Sequence, residues 1–184
     1  MPPNPSVTKS EVQNDWALVG RLALGCGTGV GMACALWMLI LQLTGNNGFG
    51  PKQLLAQLLV PLVAVGSEWW LRQKLRPERP GLGRSLSVGV LTAVIAALVS
   101  ASSLVGLAHG AGEPALARNR AEELEIVRAQ QHENPKVILS EQQRQQQLQT
   151  VESLTVGGMA MRNFIQVFVL GLVLALPAGI FLRE

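Results

Sequence analysis

The sequence contains no tyrosine, two cysteines and two histidines, and aromatic residues make up only 4% of it. Each scarcity excludes something. Cys26 and Cys34, 34 − 26 = 8 positions apart, would be separated by about 12 Å of rise on one helix, too far for a disulfide. Cys-x-x-Cys does not occur, and His109 and His132 stand alone, so no metal site is expected. A nucleophile beside a base, a phosphate loop and paired acids at metal-binding spacing are all missing as well. No catalytic residue, no cofactor and no nucleic-acid partner is therefore expected, and the protein reads as a non-enzyme.

Charge is scarce too, at 15% of residues against 48% hydrophobic ones, and it is unevenly placed. Charged residues are absent from Leu22 to Pro51, Gln53 to Ser67, Ser85 to Gly112 and Asn163 to Leu182. About 20 apolar residues cross a hydrocarbon core of roughly 30 Å, so each run reads as a membrane span. The expectation is an all-α integral membrane four-helix bundle, with spans at about 17–43, 53–70, 85–108 and 163–182. Residues 1–15 read as a disordered tail, and 109–162 as an extramembrane helical excursion between the third and fourth spans. Pro61 falls within the second span, where a kink is the favoured reading over a re-entrant half-helix.

The stretch GCGTGVG opens the question of nucleotide binding, because a glycine stands at every second position from Gly25 to Gly31. The dinucleotide fingerprint G-x-G-x-x-G fails on spacing, since Val30 and Met32 occupy the third-glycine positions. With a period of four, Gly25, Gly29 and Ala33 form one row, and Gly27, Gly31 and Ala35 another. Small-xxx-small rows let membrane helices approach closely. They would face either Leu86 to Leu107 of the same chain, the favoured choice, with Gly89 in the matching surface, or a second copy in a homo-oligomer.

Arg72, Lys74, Arg76, Arg79 and Arg84 concentrate positive charge between the second and third spans, against a nearby Glu78. The positive-inside bias places that loop, and hence both termini, in the cytoplasm. Trp16, Trp69 and Trp70 occupy interfacial positions. The excursion then lies outside, with six basic and seven acidic residues between Ala108 and Arg162. Within it Leu116, Leu124 and Val127 follow helical spacing, Asn134-Pro135 breaks the pattern, and Ser140 with Gln143 forms a capping-box signature leading to Leu148, Val151 and Leu154. Two amphipathic helices on either side of a proline turn would meet membrane lipid, the helix ends or a protein partner.

Ionisable side chains inside a membrane mark transport or proton pathways, and the spans hold essentially none beyond Glu68. Glu68 with Arg72, one turn on, is a speculative polar site whose simpler reading is an interfacial i,i+4 ion pair. Thr92, Ser100 and Gln166 read as helix-to-helix hydrogen-bonding groups. An ion-coupled transporter is disfavoured by this silence. An oligomeric transporter or channel, and an enzyme assembled from His109, Glu113 and His132, are the alternatives to a structural or partner-binding role.

Gly81-Leu82-Gly83-Arg84-Ser85-Leu86-Ser87-Val88-Gly89 resembles the start of the third helix in the bacterial family called domain of unknown function 4199, whose pattern there is similar to Ser-Phe-Gly-Lys-Ala-Phe-Lys-Val-Gly. Gly83, Arg84, Val88 and Gly89 fit it. The order of two spans, a basic loop, a third span, a charged helical excursion and a closing span is similar as well. This resemblance implies an architecture and the inner membrane of a bacterium, and no activity or functional residue. Reporter fusions after Arg76, Gln131 and Arg183 check the topology, with the expected outcome that Gln131 reports outside and the other two inside.

Overall fold

The computed structural model describes residues 8–75, 81–133 and 140–182, with side chains from Trp16 onward except those of His132 and Glu133. Helices α1 (Thr8–Leu43), α2 (Leu54–Gln57), α3 (Leu59–Lys74), α4 (Gly81–Glu133), α5 (Glu141–Glu152) and α6 (Val156–Phe181) follow in order, and no strand occurs among the described residues. Four stretches are long and apolar enough to cross a membrane: Trp16–Leu43, Pro51–Lys74, Gly81–Gln131 and Val156–Phe181. The fold is therefore the all-helical, four-span arrangement expected from the charge-free runs.

Helix α1 buries Val19, Ala23, Val30, Cys34, Met38 and Leu41 along one stripe, while Leu24, Met32, Leu36 and Leu43 point outward. Both stripes are apolar because one meets protein and the other hydrocarbon; side-chain size separates them. The helix ends where Gly45 takes a φ of 78°, which lets the Gly45 amide donate to the Gln42 carbonyl and the Asn46 amide to that of Leu41. This Schellman closure favours glycine, which has no Cβ to strain at positive φ. Helix α1 begins at Thr8, so residues 8–15 are helical rather than part of a disordered tail; residues 1–7 lie outside the described part.

The second span starts with a 3-10 turn at Pro51–Gln53 and breaks at Leu58, between α2 and α3, three positions (61 − 58) before Pro61. A proline has no amide hydrogen for the i−4 carbonyl, so a break in the preceding turn is its ordinary consequence. Helix α3 continues to Lys74, which makes this a kinked span.

Helix α4 is the axis of the bundle. Its small residues Ser85, Gly89, Thr92, Ala93, Ala96, Ala97 and Ser100 are buried, and α1, α3 and α6 all pack on it. Helices α4 and α6 run antiparallel with a tight seam. A Cβ on Gly171 would stand 2.5 Å from the Cβ of Ala93, and one on Gly179 2.5 Å from Leu86.

The third span and the first helix of the excursion, expected as separate pieces, are joined within α4 and turned at Gly112 (φ 71°, ψ −178°), two positions before Pro114. Beyond that break residues 115–131 lie across one end of the bundle, and Leu116 joins Met38, Phe49, Leu104 and Met159 in a shared apolar cluster. Ser140 caps α5 through the expected box: its hydroxyl accepts from the Gln143 amide, and its own amide donates to Gln143 Oε1. The chain then breaks at Ser153–Thr155 rather than running from α5 into the last span, and Thr155 caps α6 by accepting from the Gly158 amide. Helix α6 thus begins 163 − 156 = 7 residues before the last charge-free run. The Asn134-Pro135 turn lies outside the described residues.

The two glycine rows of α1 have different fates. A Cβ on Gly27 would meet Ile95 and the Thr92 carbonyl at 2.8 Å, and one on Gly31 would stand 2.7 Å from Val99 Cβ, whereas Gly25 and Gly29 face open space. Gly31→Ala and Gly27→Ala are expected to lower thermal stability in detergent by about 1–3 kcal/mol through overpacking. Gly25→Ala and Gly29→Ala should leave it unchanged or raise it by up to about 1 kcal/mol, because alanine is the better helix former.

Candidate functional site

Amide side chains have four hydrogen-bonding capacities and no net charge, so inside a span they hold helices together only when their partners are in register. At the end of the bundle that carries the excursion, such a register exists. Gln166 Nε2 on α6 donates to Gln57 Oε1 on α2 at 2.8 Å. Gln57 Nε2 donates to Asn163 Oδ1 at 2.8 Å, and Asn163 Nδ2 donates to Ser100 Oγ on α4 at 2.9 Å. Gln57, Asn163 and Ser100 are all buried. This ladder joins three helices in one layer. Ser100 and Gln166 were legible as interhelical groups; Gln57 and Asn163 were not singled out, though each is an amide set in an apolar run.

Above the ladder, residues 115–131 of α4 and helix α5 form a cap held by polar ties on both sides. Asn47 Nδ2 in the α1–α2 connection donates to Asn119 Oδ1 (2.9 Å) and Glu122 Oε2 (2.7 Å). Arg118 donates to the Gly45 and Asn46 carbonyls. Toward α6, Arg120 reaches the Leu154 carbonyl and Arg162 pairs with Glu123 at 3.1 Å. Gln131 Nε2 donates to Gln147 Oε1 and ties α5 to α4. Between cap and ladder lies a cavity of about 330 Å³, whose wall includes Gln53, Leu104, Glu123, Met159 and Gln166.

At the opposite end of the bundle, Glu68 is fully buried on α3, and neither carboxyl oxygen has a hydrogen-bond partner in the protein. The expected ion pair with Arg72 is not formed: Arg72 belongs to the basic last turn of α3, while the Glu68 carboxyl turns inward. Its niche is made by Gly89, whose missing side chain would collide with the Glu68 carboxyl and lie 3.1 Å from Ala175 Cβ. Gly89 thus packs between helices as expected, but against α3 and α6 rather than in the surface that meets the α1 glycine rows, which Thr92, Ile95 and Val99 supply. Beside this niche the hydroxyls of Thr92 and Ser67 lie 3.2 Å apart, and the buried Ser85 hydroxyl has no partner.

Two of the three residues proposed for an enzyme have described side chains, and each is bonded elsewhere. Glu113 is paired with Arg120 at 2.7 Å, and the exposed His109 ring bonds the Val105 carbonyl of its own helix. The side chain of His132 lies outside the described part.

Four apolar spans, an interior held by small residues and amides, and a tied helical cap define a multi-pass helical membrane protein. Residues 26–184 match the family described as "Protein of unknown function (DUF4199)", and the chain belongs to that family. No curated protein and no solved structure matches it.

The ladder is a stability element whose middle carries more than its end. Asn163→Ala removes two bonds and strands the Gln57 amide, with an expected loss of about 1–3 kcal/mol. Ser100→Ala removes one bond and should cost about 0.6 kcal/mol. Thermal unfolding of the purified variants in one detergent measures both, and equal losses would contradict the directional ladder.

Proposed function

We propose that this chain is a non-catalytic protein of the bacterial inner membrane, with both termini in the cytoplasm, whose cap binds a protein partner on the outer side. The basic connection between α3 and α4 supports that orientation. The observation that carries the binding role is the way the excursion is held. Arg118 and Arg120 fix it through backbone carbonyls, and Asn47 through Asn119 and Glu122. On α5, meanwhile, Gln142, Gln145, Gln146 and Gln149 are all exposed. A surface held in place before contact avoids much of the ordering cost of association, and a neutral amide face offers donors and acceptors without fixing the partner's charge.

An oligomeric transporter or channel remains the alternative, supported by Gly25 and Gly29, which present an unfilled small-residue row on the outward face of α1. Solute flux in liposomes carrying the purified protein distinguishes it.

Photo-crosslinking residues placed at Gln145 and Gln149 in living cells test the partner reading. A discrete protein adduct is expected from both positions. It should weaken several-fold when Arg118→Ala unties the cap, and should not form from Val173, which faces outward on α6. Absence of an adduct from both α5 positions in correctly inserted protein would overturn the proposal.

A further inference from the structure

The cavity beneath the cap is lined by hydrogen-bond acceptors that the protein uses only in part. In the amide ladder every donor points toward α4, from Gln166 to Gln57, to Asn163, to Ser100. That direction leaves the Gln166 carbonyl oxygen as the free end, on a residue that lines the cavity. Gln53 lines it too, and its Oε1 is buried with no hydrogen-bond partner. Across from them the Glu123 carboxylate, in a side chain only 18% exposed, is contacted by a single nitrogen of Arg162. Residues carrying two amide oxygens and a carboxylate thus line one space, and the one buried without a donor, Gln53 Oε1, costs about 1–3 kcal/mol.

The chemistry that answers this wall has several N–H donors, a positive charge and no acceptor of its own: a primary ammonium ion. The rest of the site says what the ammonium is attached to. Arg162 lines the cavity with its side chain 66% exposed, and spends only Nη1 on Glu123, so a phosphate beside the ammonium would find a guanidinium at the rim. Leu54 and Ile126 line the cavity and are 41% and 39% exposed. Leu54 continues into Leu55 and Leu58, outward-facing residues of the second span, so the cavity opens beside hydrocarbon. Its volume of about 330 Å³ is at the small end of ligand pockets, suited to a head group rather than a whole lipid.

We propose that this cavity is a binding site for the head group of a phospholipid carrying a primary ammonium ion, with Gln53, Gln166 and Glu123 receiving the ammonium and Arg162 the phosphate. A quaternary ammonium head group has the same charge and phosphate but no N–H to give, so it leaves the amide oxygens unpaired. Sites built to hydrogen-bond a donor reject analogues that lack it.

The test is native mass spectrometry of the full-length protein in detergent, titrated with phosphatidylethanolamine, phosphatidylcholine and phosphatidylglycerol of identical acyl chains. Phosphatidylethanolamine should be retained at least about tenfold better than phosphatidylcholine. That preference should disappear in Gln53→Leu and persist in Gln53→Glu, which keeps an acceptor at the same place; matching melting temperatures for the two variants confirm that both are folded. Soluble phosphoethanolamine separates the sources of the head group. Displacement of bound lipid by it shows that the head group alone is recognised, and retention of the lipid shows that the membrane supplies the ligand; both support the site. Equal binding of phosphatidylethanolamine and phosphatidylcholine, or a preference untouched by Gln53→Leu, overturns it.

Discussion

In hydrocarbon an apolar side chain gains nothing by leaving lipid for another apolar side chain, so cohesion between spans comes from dispersion contacts, which fall off steeply with distance, and from polar groups that find partners. Everything in this bundle depends on how closely α4 can be approached. Its buried face is mostly serine, threonine, alanine and glycine, and its three neighbours reach it by the same means: Gly27 and Gly31 from α1, Gly171 and Gly179 from α6, and from α3 a glutamate accommodated by Gly89. Because the helices approach so closely, short polar side chains can bridge them. The Gln57–Asn163–Ser100 contacts, all shorter than 3 Å, are a consequence of the small-residue packing as much as a contribution to it.

The two ends of the bundle use polarity differently. Near the cap the ladder is directional and its buried members are paired, and the spare acceptors face a cavity. At the other end Glu68 and Ser85 are buried among close-packed helices with no partner for their side-chain oxygens. The ladder end pairs its buried amides in register, whereas the Glu68 end encloses side-chain oxygens that have no partner in the protein. Membership in a family without an assigned activity adds an architecture to this contrast and no chemistry, so the functional reading rests on the geometry of the cap end.

Much of the architecture was legible because its causes are local. Charge-free length marks the four spans, a serine three residues before a glutamine marks the start of α5, and glycine repeats mark close packing. What was not legible depends on partners distant in sequence. Gly25 and Gly27 differ by two positions, about 200° around a helix, and nothing in a segment apolar on every side says which row meets protein. Glu68 and Arg72 have ion-pair spacing, but the niche that draws Glu68 inward is made by Gly89 on another helix. Gln57 and Asn163 are single amides whose roles appear only once α2 and α6 lie side by side, 106 positions apart in sequence. The boundary between the third span and the excursion, expected at 108–109, falls close by at Gly112, where one backbone conformation makes the turn beside Gly110 and Pro114.

That single conformation also fixes how far the protein reaches. Drawn straight, the 53 residues of α4 would form a rod of about 80 Å, well over twice the thickness of a hydrocarbon core. Turned at Gly112, the same chain is held against the bundle instead, with Arg118 tied to the Gly45 and Asn46 carbonyls and Glu123 to Arg162. Anything that engages it has to come down to the plane of the bilayer, where diffusion is two-dimensional and a neighbour confined to the same membrane is met far more often than a solute arriving from the bulk.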